Sequence, residues 1–235
     1  MSGLSRQKRG QHHGIDHLIL DDHPRAERIA VAAWIVAGLL FVAMAVGPIR
    51  DRLDSFDLWV YELTYPIKWG PLTVLSHLMA FLGSAYFVWP LRVVVTTVLA
   101  WRRRWVALSA WLSAIVLSEP LIGIMKAWYG RPRPPEHLVV EVTGAFPSGH
   151  AVAGSVVALS LVIVLVPRGP ARRNMEMAAA VFAMVMAGSR VYLGAHWLTD
   201  VFAGTAIGAA CAIGGAALAQ RWFESRPVSQ LGSTD

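Results

Sequence analysis

Between Arg28 and Arg50 the chain runs for 21 residues without a charge. As a helix, at ~1.5 Å per residue, that run is roughly 31 Å long and matches the hydrocarbon core of a bilayer. Lipid offers backbone N–H and C=O groups no partners, so such a run must satisfy them internally as a helix. It is one of six. Further apolar segments occupy 72–101, 105–125, 149–166, 177–193 and 197–220, and the charged linkers "RRR" (102–104) and "PRGPARRN" (167–174) separate two pairs of them. Only 15% of the 235 residues are charged, against about a quarter in soluble domains. The expected fold class is therefore all-α: a polytopic membrane protein built as a six-transmembrane-helix bundle over 29–222. A basic tail (1–28) and a short polar tail (223–235) flank it, both expected to be disordered.

Details within that plan follow from single residues. Ala43-Met44-Ala45 is similar to a signal-peptidase site, but the polar lead is too long and the apolar core too extended, so the first span reads as an uncleaved anchor. The 72–101 segment is too long for one simple crossing and too short for two. Pro90 is expected to kink it, or to mark where an interfacial segment joins the span. In 51–70, Leu53, Phe56, Trp59, Leu63 and Ile67 recur three or four apart, which fits an amphipathic helix at the headgroup boundary or a surface linker. Gly204 and Gly208 form a GxxxG in the last span; tight packing within one bundle is the first reading and a homodimer face the second.

Net charge is +6, and its placement decides what it means. With the N-terminus inside, 13 of the 21 Lys and Arg fall on inner segments and seven on outer ones. This asymmetry places both termini in the cytoplasm of a multi-pass plasma-membrane protein. Basic loops at an anionic inner leaflet account for the charge, so no nucleic-acid partner is expected. Cys211 is the only cysteine, which excludes an internal disulfide and disfavours a thiolate metal site. The tail histidines His12, His13, His17 and His23 read as solvated rather than metal-binding.

The six-span plan carries three polar clusters to one membrane surface, the extracytoplasmic one. Lys126, Arg131 and Arg133 lie in "KAWYGRPRPP", where prolines stop the third span. "GAFPSGHAV" opens the fourth: Ser148 suits an N-cap, Gly149 leaves the backbone unobstructed, and His150 follows. A helix start with unpaired N–H groups binds phosphate readily. Arg190, His196 and Asp200 lie in "GSRVYLGAHWLTD"; the i,i+4 spacing of the last two lets a carboxylate hold one imidazole nitrogen. Lys126, Arg133, Arg190, Ser148 and Gly149 thus suit a multiply charged oxyanion. His196, backed by Asp200, suits an in-line nucleophile that forms a phosphohistidine. His150 suits the general acid and base for leaving group and water. The fixed cations stabilise the equatorial oxygens, so neither a metal nor another cofactor is expected. Glu119, in the third span, is expected to pair with Arg92, His77 or a site cation, in either an accessory or a structural role.

Read together, Lys126-x6-Arg133-Pro134, Pro147-Ser148-Gly149-His150 and Ser189-Arg190-x5-His196-x3-Asp200 resemble the three-part signature of the type 2 phosphatidic acid phosphatase (PAP2) superfamily, which includes vanadium haloperoxidases and bacterial acid phosphatases. The resemblance covers 126–200 closely and, through the span plan, most of the chain. It implies the same assignments: phosphate held by Lys126, Arg133, Ser148, Gly149 and Arg190; His150 as acid; His196 as nucleophile; Asp200 as its partner. Arg131 is not a signature position and is taken as accessory. Membrane members act on lipid phosphates and diphosphates without a metal. A site facing outward first suggests undecaprenyl (polyprenyl) diphosphate as substrate. Phosphatidic acid or phosphatidylglycerol phosphate comes next, and a lipid phosphotransferase of the same superfamily is a further alternative.

Overall fold

The computed structural model describes residues 20, 23–136, 138 and 143–225. Most of both tails therefore lies outside the described residues, including the solvated-histidine reading of His12, His13 and His17. Among the described residues there are eight helices and no strands: α1 (His23–Ala45), α2 (Gly47–Thr64), α3 (Gly70–Leu82), α4 (Ala85–Trp101), α5 (Trp105–Tyr129), α6 (Gly149–Leu165), α7 (Pro170–Tyr192) and α8 (Leu198–Glu224). The helix expected from residue 29 already begins at His23, inside the segment assigned to the tail.

Six legs make the bundle: α1, the α3–α4 pair, α5, α6, α7 and α8. By length and composition α1, α5 and α8 can each cross a membrane, and α3 with α4 can cross as one bent span. The other two legs differ. α6 is apolar but has only 17 residues, and α7 opens on the polar "PARRN". Large apolar side chains such as Leu39, Val74, Val116, Ile124, Val181 and Met184 point outward from their helices, as a lipid-facing surface requires.

α8 is the axis of the assembly, packing chiefly on α5, α1 and α6. Its small residues make that possible. A Cβ on Gly204 would lie 2.6 Å from the Ser148 carbonyl oxygen, and one on Gly208 would lie 2.6 Å from Ser155 Cβ and 2.7 Å from the Val152 carbonyl oxygen. The GxxxG face is thus filled by α6 of the same chain, the first of the two readings. The homodimer gains no support from it.

Two segments depart from expectation. The 72–101 segment breaks at Gly83–Ser84, between α3 and α4, with a 49° bend; Pro90 lies inside α4. At the break the chain packs closely: a Cβ on Gly83 would come within 2.8 Å of His150 Cδ2 and 2.9 Å of Met186 Sδ, so glycine lets it approach α6 and α7. The amphipathic stretch is helical only to Thr64. Phe56, Trp59, Leu63 and Ile67 are exposed, as a membrane-surface face requires, while the inward face is anchored by a carboxylate, the buried Asp57.

Candidate active site

The end of the bundle that holds the α5 C-terminus, the α6 N-terminus and the α7–α8 turn gathers the three clusters. Its framework is backbone. The Ser148 N–H donates to the Asp200 carbonyl at 3.0 Å, and Ala195 N–H donates to the Arg190 carbonyl at 3.0 Å. These bonds tie the start of α6 to α8, and the His196 turn to α7. Ser148 is the N-cap of α6, with its hydroxyl accepting from Ala151 N–H. Gly149 follows as the first helical residue, its α-carbon side facing Lys126 Cε.

Lys126, in the last turn of α5, donates to the Gly144 carbonyl at 2.8 Å and to Thr143 Oγ1 at 3.0 Å. Arg133 donates through Nε to the Thr143 carbonyl at 3.0 Å, and through Nη1 to the Ala195 carbonyl at 2.5 Å. The same Nη1 lies 3.2 Å from His196 Nε2. Arg190, in the last turn of α7, is buried. Lys126 therefore lies beside Gly149 at the start of α6, and Arg133 and Arg190 lie by His196.

His196 is 2% exposed. Its Nδ1 is 2.8 Å from the Ala145 carbonyl. A carbonyl only accepts, so this bond puts the proton on Nδ1 and the lone pair on Nε2. The carboxylate expected in that role, Asp200, stands 3.6 Å from Nδ1, too far for a hydrogen bond. Its oxygens are engaged elsewhere: Oδ2 accepts from Trp197 N–H at 2.9 Å and Oδ1 from Arg131 at 2.5 Å. Asp200 thus acts on His196 as a nearby charge, and the tautomer is set by Ala145. Burial lowers the His196 pKa from its ordinary value; Asp200 opposes the shift, while Arg133 and Arg190 add to it. This shift favours the neutral ring, whose Nε2 lone pair faces Arg133.

His150 lies at the second residue of α6, half-buried. Its Nε2 is 3.1 Å from the Ala80 carbonyl. The α3–α4 break makes that acceptor available: Ser84 N–H, which in a continuous helix would pair with Ala80, bonds to the Phe81 carbonyl instead.

Two accessory assignments change. Glu119 is outside the site: its carboxylate takes Arg92 Nη1 at 2.5 Å, joining α5 to α4, and Arg92 also lies over the Trp89 ring at 5.1 Å. Arg131 is more central than expected. Its guanidinium binds Asp200 and Thr199 of α8, and Asp54 and Asp57 of α2. Asp54, Asp57, Thr199 and the Ala145 and Ala80 carbonyls are participants that motif spacing did not single out.

Residues 105–224 match the model of the PAP2 superfamily. The chain belongs to the PAP2 superfamily. The matched segment holds every signature residue named above, and with the membrane-spanning helices it makes this protein a membrane phosphatase of the PAP2 type. The chain is similar to phosphatidylglycerophosphatase B of Bacillus subtilis (strain 168), 28% identical over 176 residues that cover 72% of this chain and 86% of that relative. In fold it resembles the crystal structure of a transmembrane PAP2 type phosphatidylglycerolphosphate phosphatase from Bacillus subtilis, with a TM-score of 0.67, 24% identity, and coverage of 85% of this chain and 98% of that one. It also resembles LpxE of Aquifex aeolicus, with a TM-score of 0.53 and 24% identity over 67% of this chain and 93% of that one.

Proposed function

We propose that this PAP2 enzyme hydrolyses the phosphomonoester headgroup of a membrane lipid, with phosphatidylglycerol phosphate as its substrate, through a phosphohistidine at His196. The observation that carries the chemistry is the His196 ring: Nδ1–H fixed on the Ala145 carbonyl and Nε2 turned to Arg133. Nε2 attacks phosphorus in line, and the bond to the lipid oxygen breaks. His150 gives that oxygen its proton; with Nε2 engaged by the Ala80 carbonyl, the transferring atom is Nδ1. Water then attacks the phosphohistidine with His150 as base, and inorganic phosphate leaves. Lys126, Arg133, Arg190 and the first N–H groups of α6 stabilise the charge on the transferring group. As phosphate arrives, Arg133 Nη1 moves from Nε2 to a phosphate oxygen, freeing the lone pair.

An apolar groove of about 450 Å³ supports a lipid substrate. It lies between the α3–α4 pair, α6 and α7, with Leu82, Val88, Ala153, Gly154, Val157 and Met186 among its walls. Met186 also packs against Gly83 and Gly154, so the groove reaches the level just beneath His150. Prenyl diphosphate came first from sequence. The Bacillus subtilis relative, a phosphatidylglycerophosphatase by name, favours the monoester instead. The distribution of Lys and Arg supports a site on the extracytoplasmic face with both termini in the cytoplasm.

The test is a panel of phosphatidylglycerol phosphate, phosphatidic acid and undecaprenyl diphosphate, given to purified enzyme in mixed micelles with chelator present. The proposal expects the highest kcat/KM on phosphatidylglycerol phosphate and phosphate release independent of an alcohol acceptor. Preference for the diphosphate would restore the prenyl reading. Release that requires an acceptor alcohol would make the enzyme a phosphotransferase.

A further inference from the structure

Arg131 is 6% exposed and lies behind the reacting imidazole. Nη1 donates to Asp200 Oδ1 at 2.5 Å and to Thr199 Oγ1 at 2.8 Å. Nη2 donates to Asp57 Oδ2 at 2.8 Å and to Asp54 Oδ1. Asp57, 1% exposed, also accepts from Thr199 N–H at 3.0 Å and from the Thr199 hydroxyl. One guanidinium thus joins the surface helix α2 to the first turn of α8, and every connection is charge-assisted.

We infer that Arg131, locked in place by Asp57 and Asp54, is a positioning residue that holds Asp200 in the orientation and charge balance His196 needs to attack. The inference rests on the proposed role of His196 as nucleophile. A buried ionic cluster is weak evidence for stability, because desolvation cancels much of its attraction. Location gives this one its meaning: it ends on the carboxylate that stands 3.6 Å from His196 Nδ1. With Oδ1 held by Arg131 and Oδ2 by Trp197 N–H, Asp200 cannot swing onto the imidazole. It therefore does not draw Nδ1 from the Ala145 carbonyl or raise the basicity of the ring fully.

The charges that face His196 define the expected result. Asp200 comes from α8, Arg190 from α7, and Arg133 from the segment between α5 and α6. Arg131 stands behind Asp200, and Asp54 and Asp57 of α2 stand behind Arg131. Removing the Arg131 charge leaves Asp200 uncompensated and makes His196 more basic. Removing the Asp57 charge leaves Arg131 stronger and makes His196 less basic. The two changes act in opposite directions, which mere loosening of the fold cannot do.

The experiment compares purified wild type with Arg131→Gln, Arg131→Lys and Asp57→Asn. It measures kcat, KM, the pH profile of kcat/KM on one lipid phosphate, and thermal inactivation. Displacing the reacting group by a fraction of an ångström lowers kcat by about 10- to 100-fold, while KM stays near the wild-type value. The acid limb moves to higher pH in Arg131→Gln and to lower pH in Asp57→Asn. Arg131→Lys keeps the charge, so its limb stays in place while kcat falls. Limbs that do not move, or that move together, overturn the inference, as does a rise in KM at unchanged kcat, which would make Arg131 a phosphate ligand. If Arg131→Gln does not fold, Asp57→Asn decides by the same criterion. Failure of the nucleophile reading would appear in the wild type as turnover without a phosphohistidine; failure of the positioning role would appear only in the variants.

Discussion

Gly204→Ala adds a single methyl group at the point where α8 meets the phosphate end of α6. That methyl would stand 2.6 Å from the Ser148 carbonyl oxygen, 3.0 Å from Ala151 Cβ and 3.4 Å from Val152 N. The first contact is with backbone, which cannot rotate away. An ordinary C···O approach is about 3.3 Å or more, so α6 must retreat by roughly 0.7 Å. Overpacking of this kind costs about 1–3 kcal/mol. Alanine recovers about 0.5–1 kcal/mol over glycine in a helix, leaving a net loss of up to about 2.5 kcal/mol. The functional effect is larger, because the retreat moves Ser148 and the α6 N–H groups away from the proposed phosphate position; a fall in kcat/KM of about tenfold or more is expected. Gly188→Ala is the control. It lies on the exposed side of α7 with nothing within 4 Å of the new methyl, so stability should hold or rise and turnover should not change. Thermal inactivation in detergent and kcat/KM on a lipid phosphate read both. Equal behaviour of the two variants would refute the close α6–α8 approach and its role in shaping the site.

Three further outcomes are expected. Activity should fall on the acid side as His196 takes up a proton, with the limb below the ordinary histidine value of about 6.5, because burial holds its pKa down. The same depressed pKa links folding to pH: the stability it contributes is fully present above about 6.5 and is lost as pH falls toward the folded-state value, which pH-dependent thermal inactivation of wild type and His196→Asn would show. Glu119→Gln should destabilise by about 3 kcal/mol by leaving Arg92 buried without a counter-charge, with kcat unchanged; the double variant Arg92→Met, Glu119→Met should recover most of the loss in the same assay. Ala158→Trp, in the wall of the apolar groove, should raise KM about tenfold for long-chain substrates, equivalent to about two methylenes left unburied, and leave short-chain substrates unaffected.

The site residues with the rarest chemistry for their surroundings were the most legible. Lys126, Arg133, His150, Arg190 and His196 are polar groups bordering apolar runs, and the six-span pattern alone sends them to one end. Their relations were less legible, because backbone carbonyls leave no mark on a sequence. The Ala145 oxygen that orients His196, and the Ala80 oxygen that takes His150, exist as acceptors only after the chain is folded. Asp54 and Asp57 resemble solvated charges on a surface helix; nothing near them announces that Arg131, 74 positions from Asp57, will reach them. Pro90 is the louder signal for a break, yet the chain breaks at Gly83–Ser84, where Gly83 packs closely against His150 and Met186. Glu119 was legible as an ion-pair member, but its choice of Arg92 over a site cation depended on the helical register of α4 against α5.

The central claim is covalent, so the most direct measurement is to trap the intermediate. Wild type mixed with a phosphatidylglycerol phosphate bearing a labelled phosphoryl group is quenched in alkali within one turnover, digested and mapped by mass spectrometry. The account expects one phosphoryl group on His196, formed at least as fast as turnover and absent from His196→Ala. Full turnover with an unmodified His196, or the label on another side chain, would contradict it.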